Sequence, residues 1–283
     1  MITVFALAAA VLYGGADFLG GAASRRAHTL AVLAVSAPAG ALVMLVAALA
    51  AGGPVQPGGL GWAAAGGIAG AAGLIAFYEG LATGPMTMVA PVSALVATVL
   101  PVGVAMASGE HPTIAVATGA LTCLVAIVLI SVQGARPAAS RGRSAATRAL
   151  LLGLGSGALF GLFFLFLRNA GTTGVFWPVT VARLAGTAVM LTAITVLGVR
   201  PGWRGLGPRV LLAATASGII DAVANVCYVL ATRAGMFGMA VVLTSLYPGI
   251  TVLLARLVLG ERMRPAQRVG LALAAVGVVL VTV

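Results

Sequence analysis

Residues 236–283 read MFGMAVVLTSLYPGITVLLARLVLG (236–260), ERMRP (261–265) and AQRVGLALAAVGVVLVTV (266–283). Two long apolar runs flank a short charged turn. Neither run alternates apolar with polar residues, as a strand wetted on one face would. As a helix rising 1.5 Å per residue, the first run crosses the roughly 30 Å hydrocarbon of a bilayer. The second, from Ala266, reaches about 27 Å and only just crosses. The pattern is membrane helix, turn, membrane helix.

The rest of the chain extends it. Of 283 residues, 61% are hydrophobic, a further 39 are Gly, and only 7% are charged. A soluble globule carries about 25% charged residues, so this chain lacks the polar surface that water requires. Two Cys exclude a disulfide scaffold, and the apolar composition excludes disorder. Long unalternated runs exclude a transmembrane β-barrel. The expected fold is an all-α polytopic membrane protein of ten spans: 3–23, 29–51, 60–82, 85–107, 113–133, 149–168, 175–198, 210–232, 236–260 and 266–283. The first span lacks the positive leader of a signal peptide and is expected to be retained.

The net charge of +11 comes entirely from arginine against five acids. The arginines sit in turns and form no basic aromatic face, so nucleic acid is not an expected partner. In odd-numbered turns lie Arg25, Arg26, Arg136, Arg141, Arg143, Arg148, Arg200, Arg204, Arg209, Arg262, Arg264 and Arg268; even-numbered turns hold Arg168 and Arg233. By the positive-inside rule this places both termini outside.

GARPAASRGRSAATR, residues 134–148, is the longest connector and bisects the chain. Gly109–Glu110 and Gly260–Glu261 match at one offset, which also maps Gly84 onto Gly235, Met88 onto Met239 and Gly119 onto Gly270. The expectation is a duplicated five-helix unit, residues 1–133 and 149–283 with the linker 134–148 between them. Because five is odd, consecutive copies face opposite ways, an inverted repeat. Gly66 with Gly70, and Gly157 with Gly161, are small-residue pairs expected to pack helices closely. Trp62, Trp177 and Trp203 stand near span ends, as interfacial anchors do, with Trp177 also a candidate for a cavity mouth. Cys123 and Cys227 read as buried small hydrophobes, and no metal site or cofactor is expected.

Ionisable groups inside a bilayer cost several kcal/mol unless paired or hydrated, so they are the functional candidates. Asp17 follows Tyr13 by one turn; Glu79 follows Tyr78; Arg183 lies in the seventh span; Asp221 is followed at helical spacing by Asn225 and Tyr228; Arg256 comes late in the ninth, after Thr244, Tyr247 and Thr251. Two readings stand. These groups line a central polar cavity, with a carboxylate carrying a proton or neutralising a substrate cation and Arg183 holding a substrate carboxylate. Or they are buried ion pairs, such as Asp221 with Arg183, that lock helices. Asp221 is the first candidate for proton coupling and Asp17 the second. Glu110 and Glu261 are expected to shape helix junctions. Pro91, Pro178 and Pro248 are expected to interrupt spans four, seven and nine beside the site, with Pro101 a further bend. An intramembrane enzyme lacks its constellation, since His28 and His111 lie at loops and Lys is absent.

SLYPGITVLLARLVLGER (245–262), followed by Gln267 and Gly270, resembles the end of the second repeat of the EamA-type branch of the drug/metabolite transporter superfamily. VAPVSALVATVLPV (89–102) with GEHP (109–112) is similar to the end of its first repeat, and YGGADFLGG (13–21) and ALFGLFF (158–164) to the openings of the two. His111 departs from the pattern where the second copy has Arg262. The resemblance implies a ten-helix inverted-repeat carrier in a bacterial inner membrane. It would export a small polar or amphipathic metabolite, such as an amino acid or related compound, without a cofactor. It also implies a cavity lined mainly by spans 1, 3, 4, 6, 8 and 9, near which Tyr13, Asp17, Tyr78, Pro91, Phe160, Asp221, Asn225, Tyr228 and Tyr247 fall. Protons and lipid are the expected partners, in a monomer or weak homodimer. Cytoplasmic termini are implied as well, against the arginine count. The alternatives are a passive facilitator or channel and a non-transporting membrane scaffold.

Overall fold

Apolar sequence of this kind has to satisfy its own backbone, because lipid offers no hydrogen bonds, and the helix does so within one segment. The computed structural model describes residues 1–24, 26–52, 57–83, 86–131, 143–170, 174–196, 206–260 and 263–282. In chain order its helices are α1 (Ile2–Ser24), α2 (Thr29–Ala51), α3 (Pro57–Thr83), α4 (Met86–Ala107), α5 (Ile114–Ser131), α6 (Arg143–Asn169), α7 (Phe176–Val196), α8 (Pro208–Arg233), α9 (Phe237–Thr244), α10 (Tyr247–Leu259) and α11 (Pro265–Thr282). Among the described residues, 7 helical segments are long and apolar enough to cross a membrane: those of α1, α2, α3, α6, α7 and α8, and the combined α9–α10. Val92–Ala107, Ile114–Ile130 and Pro265–Val281 are shorter apolar stretches in α4, α5 and α11. The chain is an all-α polytopic membrane protein.

Many large apolar side chains point outward, and alanine fills much of the interior. Leu42, Val46, Leu121, Leu212 and Leu257 are exposed, while Ala6, Ala9, Ala48, Ala63, Ala222 and Ala224 are buried. Small interior residues bring helix axes together where water gives no hydrophobic drive. α3 packs on α6 and α7, α1 on α8 and α10, α2 on α7 and α8, α4 on α6, and α5 on α11. The closest approaches have no room for a side chain. A Cβ at Gly67 would fall on the Ala182 carbonyl oxygen of α7, and one at Gly218 on the Ser36 carbonyl oxygen of α2. The small-residue pairs read from the sequence pack α6 as expected: Gly70 lies under Phe163, and a Cβ at Gly157 would come 2.6 Å from the Ser93 carbonyl oxygen of α4.

Proline breaks one helix, and at a different place from another that was expected. Pro248 has no N–H to give the preceding turn. The chain leaves the helix at Ser245–Leu246, so the ninth span is two helices, α9 and α10. Pro178 does not interrupt span seven. It sits in the first turn of α7, where the amide has no acceptor in any case. Pro91 does not interrupt span four either: α4 runs unbroken through both Pro91 and Pro101, and Pro38 stands inside α2. α6 begins at Arg143, within the stretch read as linker. Arg25, Arg136, Arg141, Arg200, Trp203, Arg204, Glu261 and Arg262 lie outside the described residues.

The turns sort into two ends. Gly235 lies against Ile2, and Gly119 near the start of α5 lies against Leu280 and Val281. Residues near both termini therefore share one end with the α4–α5, α6–α7 and α8–α9 turns. At the other end Ala23, Val32, Val210 and Ala214 form an apolar cluster where α1 stops and α2 and α8 start. Cys123 and Cys227 are free thiols, and the Trp62 ring packs at a tilt against Phe166, centroids 5.5 Å apart.

Candidate functional site

α1, α7 and α8 each carry an ionisable residue near mid-span, and the packing turns all three into one hollow. A cavity of about 320 Å³ is lined by Asp17, Arg183 and Asp221 together with Tyr13, Asn225 and Tyr247. Phe160, Phe163 and Phe164 of α6 add an aromatic wall, and Gly67, Gly70, Ala94 and Ala97 of α3 and α4 a small-residue one. α2 and α7 also line it, through Val32, Leu33, Ser36 and Ala37 and through Val179, Ala182, Gly186 and Met190. That corrects the implied set of spans 1, 3, 4, 6, 8 and 9. The reason is the pair of glycine contacts just described, which draw α2 and α7 against α8 and α3 and so into the wall.

The polar groups are wired unequally. Arg183 and Asp221 form an ion pair through Nη2 and Oδ2, with side chains 19% and 33% exposed. The Tyr13 hydroxyl donates to Asn225 Oδ1 at 2.9 Å, and Asn225 Nδ2 donates to the Asp221 carbonyl at 2.7 Å. The Ser217 hydroxyl donates to the Ala16 carbonyl at 2.8 Å, and Thr251 Oγ1 to that of Gly14 at 3.2 Å, stitching α8 and α10 to α1. Asp17 is open to the cavity. Among the described residues no donor and no cation pairs with its carboxylate. Thr187, one turn beyond Arg183, also lines the cavity, and its hydroxyl oxygen is buried with no hydrogen-bond partner there.

One end of the hollow is floored by aromatic rings. Tyr13 packs edge-on against Phe164 and Tyr247 at 6.5 and 6.1 Å, and Phe164 against Tyr228 at 4.7 Å. Tyr228 is fully buried behind them, its hydroxyl donating to the Phe164 carbonyl at 3.0 Å. Beyond this floor Glu110 caps α9, accepting from Phe237 N–H at 2.9 Å and Gly238 N–H at 3.0 Å. Its charge suits the positive end of a helix. Arg168 stands 3.8 Å from the same carboxylate and 4.1 Å over the Phe237 ring. Arg233 donates to the Gly174 carbonyl at 2.9 Å, tying the neighbouring turns. Toward the other end the lining continues along α1 through Gly20, Gly21 and Ser24.

Six residues proposed from the sequence therefore meet in the cavity with Phe160: Tyr13, Asp17, Arg183, Asp221, Asn225 and Tyr247. Tyr228 forms the layer behind the floor. Glu79 is not in the cavity wall; it accepts a hydrogen bond from Arg148 at 2.7 Å, with side chains 47% and 61% exposed, because it lies a turn from the end of α3. Arg256 is exposed in the last turn of α10. Trp177 stands in the first turn of α7 and Pro248 in that of α10, and neither lines the cavity. The side chains of Tyr78 and Pro91 lie outside the described residues. Glu110 shapes a helix junction, as read. Reading from single ionisable residues missed Phe163, Phe164, Ser36 and Thr187. Thr187 was within reach, since it follows Arg183 by one helical turn.

The wall that holds Arg183, Asp221 and Asn225 lies in the part of the chain with a recognisable family pattern. Residues 147–283 match the EamA-like transporter family. The EamA-like part runs from Thr147 in α6 through α11, and it leaves Tyr13 and Asp17 outside. A solved structure titled "Crystal structure of protein" is similar over 99% of this chain and 96% of its own, with a TM-score of 0.79 at 21% identity. This likeness shows a shared fold over the full length. No curated protein matches. Among the described residues no group of three or more His, Cys, Asp or Glu is placed to hold a metal ion.

Proposed function

We propose that the protein is a secondary carrier in a bacterial inner membrane. It exports a small polar or amphipathic metabolite, such as an amino acid or a related compound, by alternating access. Its frame is two inverted five-helix repeats, residues 1–133 and 149–283, in which α9 and α10 count as one span. Reciprocal packing supports the repeat. α3 meets α6 as α8 meets α1, α3 meets α7 as α8 meets α2, and α4 meets α6 as α10 meets α1. The close approaches reciprocate too, Gly67 on Ala182 and Gly218 on Ser36.

The observation that carries the reading is the mid-span cavity, floored at one end by aromatic rings, with the Glu110 cap beyond them, and continued at the other past Asp17 to Ser24. An ion pair, an open carboxylate and an amide in a hollow within lipid mark a substrate path more than a packing device. A rocking motion of one repeat against the other would break the Glu110 bonds and close the α1 end. Asp221 is held by Arg183, so the ranking of coupling residues turns over and Asp17 comes first.

Untargeted comparison of metabolites retained by cells with and without the gene names the substrate. Proteoliposomes preloaded with that metabolite are then expected to accumulate the labelled form transiently against its gradient. Flux that only runs down the gradient, with no exchange, would make the protein a passive facilitator.

A further inference from the structure

We propose that the cavity binds an amphipathic organic monocation with its ammonium group on Asp17, and that the same carboxylate takes up a proton when the cation leaves. The proposal rests on the carrier reading, narrows its substrate from amino acids to amines related to them, and adds a one-for-one exchange.

The charge count in the hollow leads there. Its described charged side chains are Asp17, Arg183 and Asp221. Arg183 and Asp221 neutralise each other, which leaves one negative charge on Asp17. Among the described residues, the elements packed around α1 offer nothing to balance it. α8 presents Asp221, Asn225 and Ser217, α10 presents Tyr247, α2 presents Ser36, and Arg183 of α7 is already engaged. A bare carboxylate at this depth is costly, so each resting state of the carrier needs one positive charge beside it. A proton is the smallest candidate, and a substrate ammonium is the other. The exchange balances as Asp17–COOH + RNH₃⁺ going to Asp17–COO⁻·RNH₃⁺ + H⁺, with the proton released to water. It moves no net charge.

The walls describe the rest of the molecule. Phe160, Phe163, Phe164 and Tyr247 give apolar surface and ring faces that attract a cation. The volume of about 320 Å³ lies at the small end of the roughly 300–1,000 Å³ common for ligand pockets, room for one ring and a short arm. An anion is disfavoured, because it would add to the charge of Asp17. A zwitterion would have to take Arg183 from Asp221 and leave a carboxylate bare.

The test uses the purified full-length chain in detergent and three probes of one skeleton: 2-phenylethylammonium, phenylalanine and 3-phenylpropionate. Calorimetry in two buffers of different ionisation heat is expected to show the cation bound most tightly, with a proton released on binding. Asp17→Asn is expected to weaken the cation at least about 30-fold, the scale of losing a desolvated charge partner, and to abolish the proton release. Asp17→Glu is expected to restore both, which separates charge from folding, and thermal melting checks that each variant is folded. Preference for 3-phenylpropionate, absence of cation binding to the unaltered chain, or unchanged binding by folded Asp17→Asn would overturn the proposal. Binding with proton release but no counterflow would leave this site standing and remove the carrier. Counterflow of an anion would do the opposite.

Discussion

Gly67 of α3 meets the carbonyl of Ala182 on α7, and Gly218 of α8 meets that of Ser36 on α2. One turn further along each helix the two regions part. α3 turns Gly70 and then Leu74 into the cavity, whereas α8 turns Asp221 and then Asn225. The contact is the same and the chemistry is not. A missing Cβ fixes how near two backbones come, and it does so without specifying the side chains a turn away. Polarity can therefore be gathered on one wall while the opposite wall stays smooth, with no change in helix packing.

The largest effect expected from this comparison is on the shared part. Gly218→Leu and Gly67→Leu each place side-chain atoms inside a neighbouring backbone carbonyl, which has no rotamer to retreat to. Overpacking of this kind costs about 1–3 kcal/mol where side chains can yield and more where backbone must. Both variants are expected to lose monodisperse protein on size exclusion, while Gly15→Ala, with nothing within 4 Å of its added methyl group, keeps it. If Gly67→Leu stayed folded and Gly218→Leu did not, the two contacts would not be equivalent.

The next effect concerns the part that differs. Arg183→Met leaves Asp221 without its cation. Breaking a fully buried pair costs about 3–5 kcal/mol, and the open cavity screens this one, with side chains 19% and 33% exposed, so roughly 1–3 kcal/mol is expected. Adding Asp221→Leu should recover most of the loss in melting temperature, because the carboxylate that lost its cation is gone as well. Glu79→Gln is the surface control; its pair with Arg148 is half-exposed and worth below about 1 kcal/mol. A double variant no more stable than Arg183→Met alone would show that the pair contributes more than mutual neutralisation.

Span existence was legible because lipid leaves the chain one option, and period and length report it directly. The inward face of each span was less so. Asp17, Asp221 and Asn225 could be named because a polar atom in lipid needs a destination. Phe163, Gly70 and Ala97 could not, since an aromatic or small residue serves equally in packing. Glu79 misled because sequence gives depth only to within a turn, and one turn separates a cavity wall from a wet helix end. Pro178 misled for the same reason: two residues into α7 a proline starts a helix, and mid-span it would break one.

A smaller effect than that of Arg183→Met is expected where the first and second halves of the chain meet through a charge instead of a glycine. Glu110 receives two amide hydrogens from α9, one on each oxygen, at 2.9 and 3.0 Å. Arg168 lies 3.8 Å away, with the two side chains 34% and 19% exposed. An ion pair that long contributes little, so the two charge-assisted hydrogen bonds dominate. Glu110→Gln keeps one acceptor and turns an NH₂ toward the other amide, which is expected to cost about 1 kcal/mol. Arg168→Gln removes the weak pair and the stacking on Phe237, and should cost less. Hydrogen exchange in nanodiscs reads the difference locally. The Phe237 and Gly238 amides should exchange faster in Glu110→Gln and change little in Arg168→Gln. Equal acceleration in both would mean that Arg168 positions the carboxylate, and that the halves are joined at this end by the pair and not by the cap.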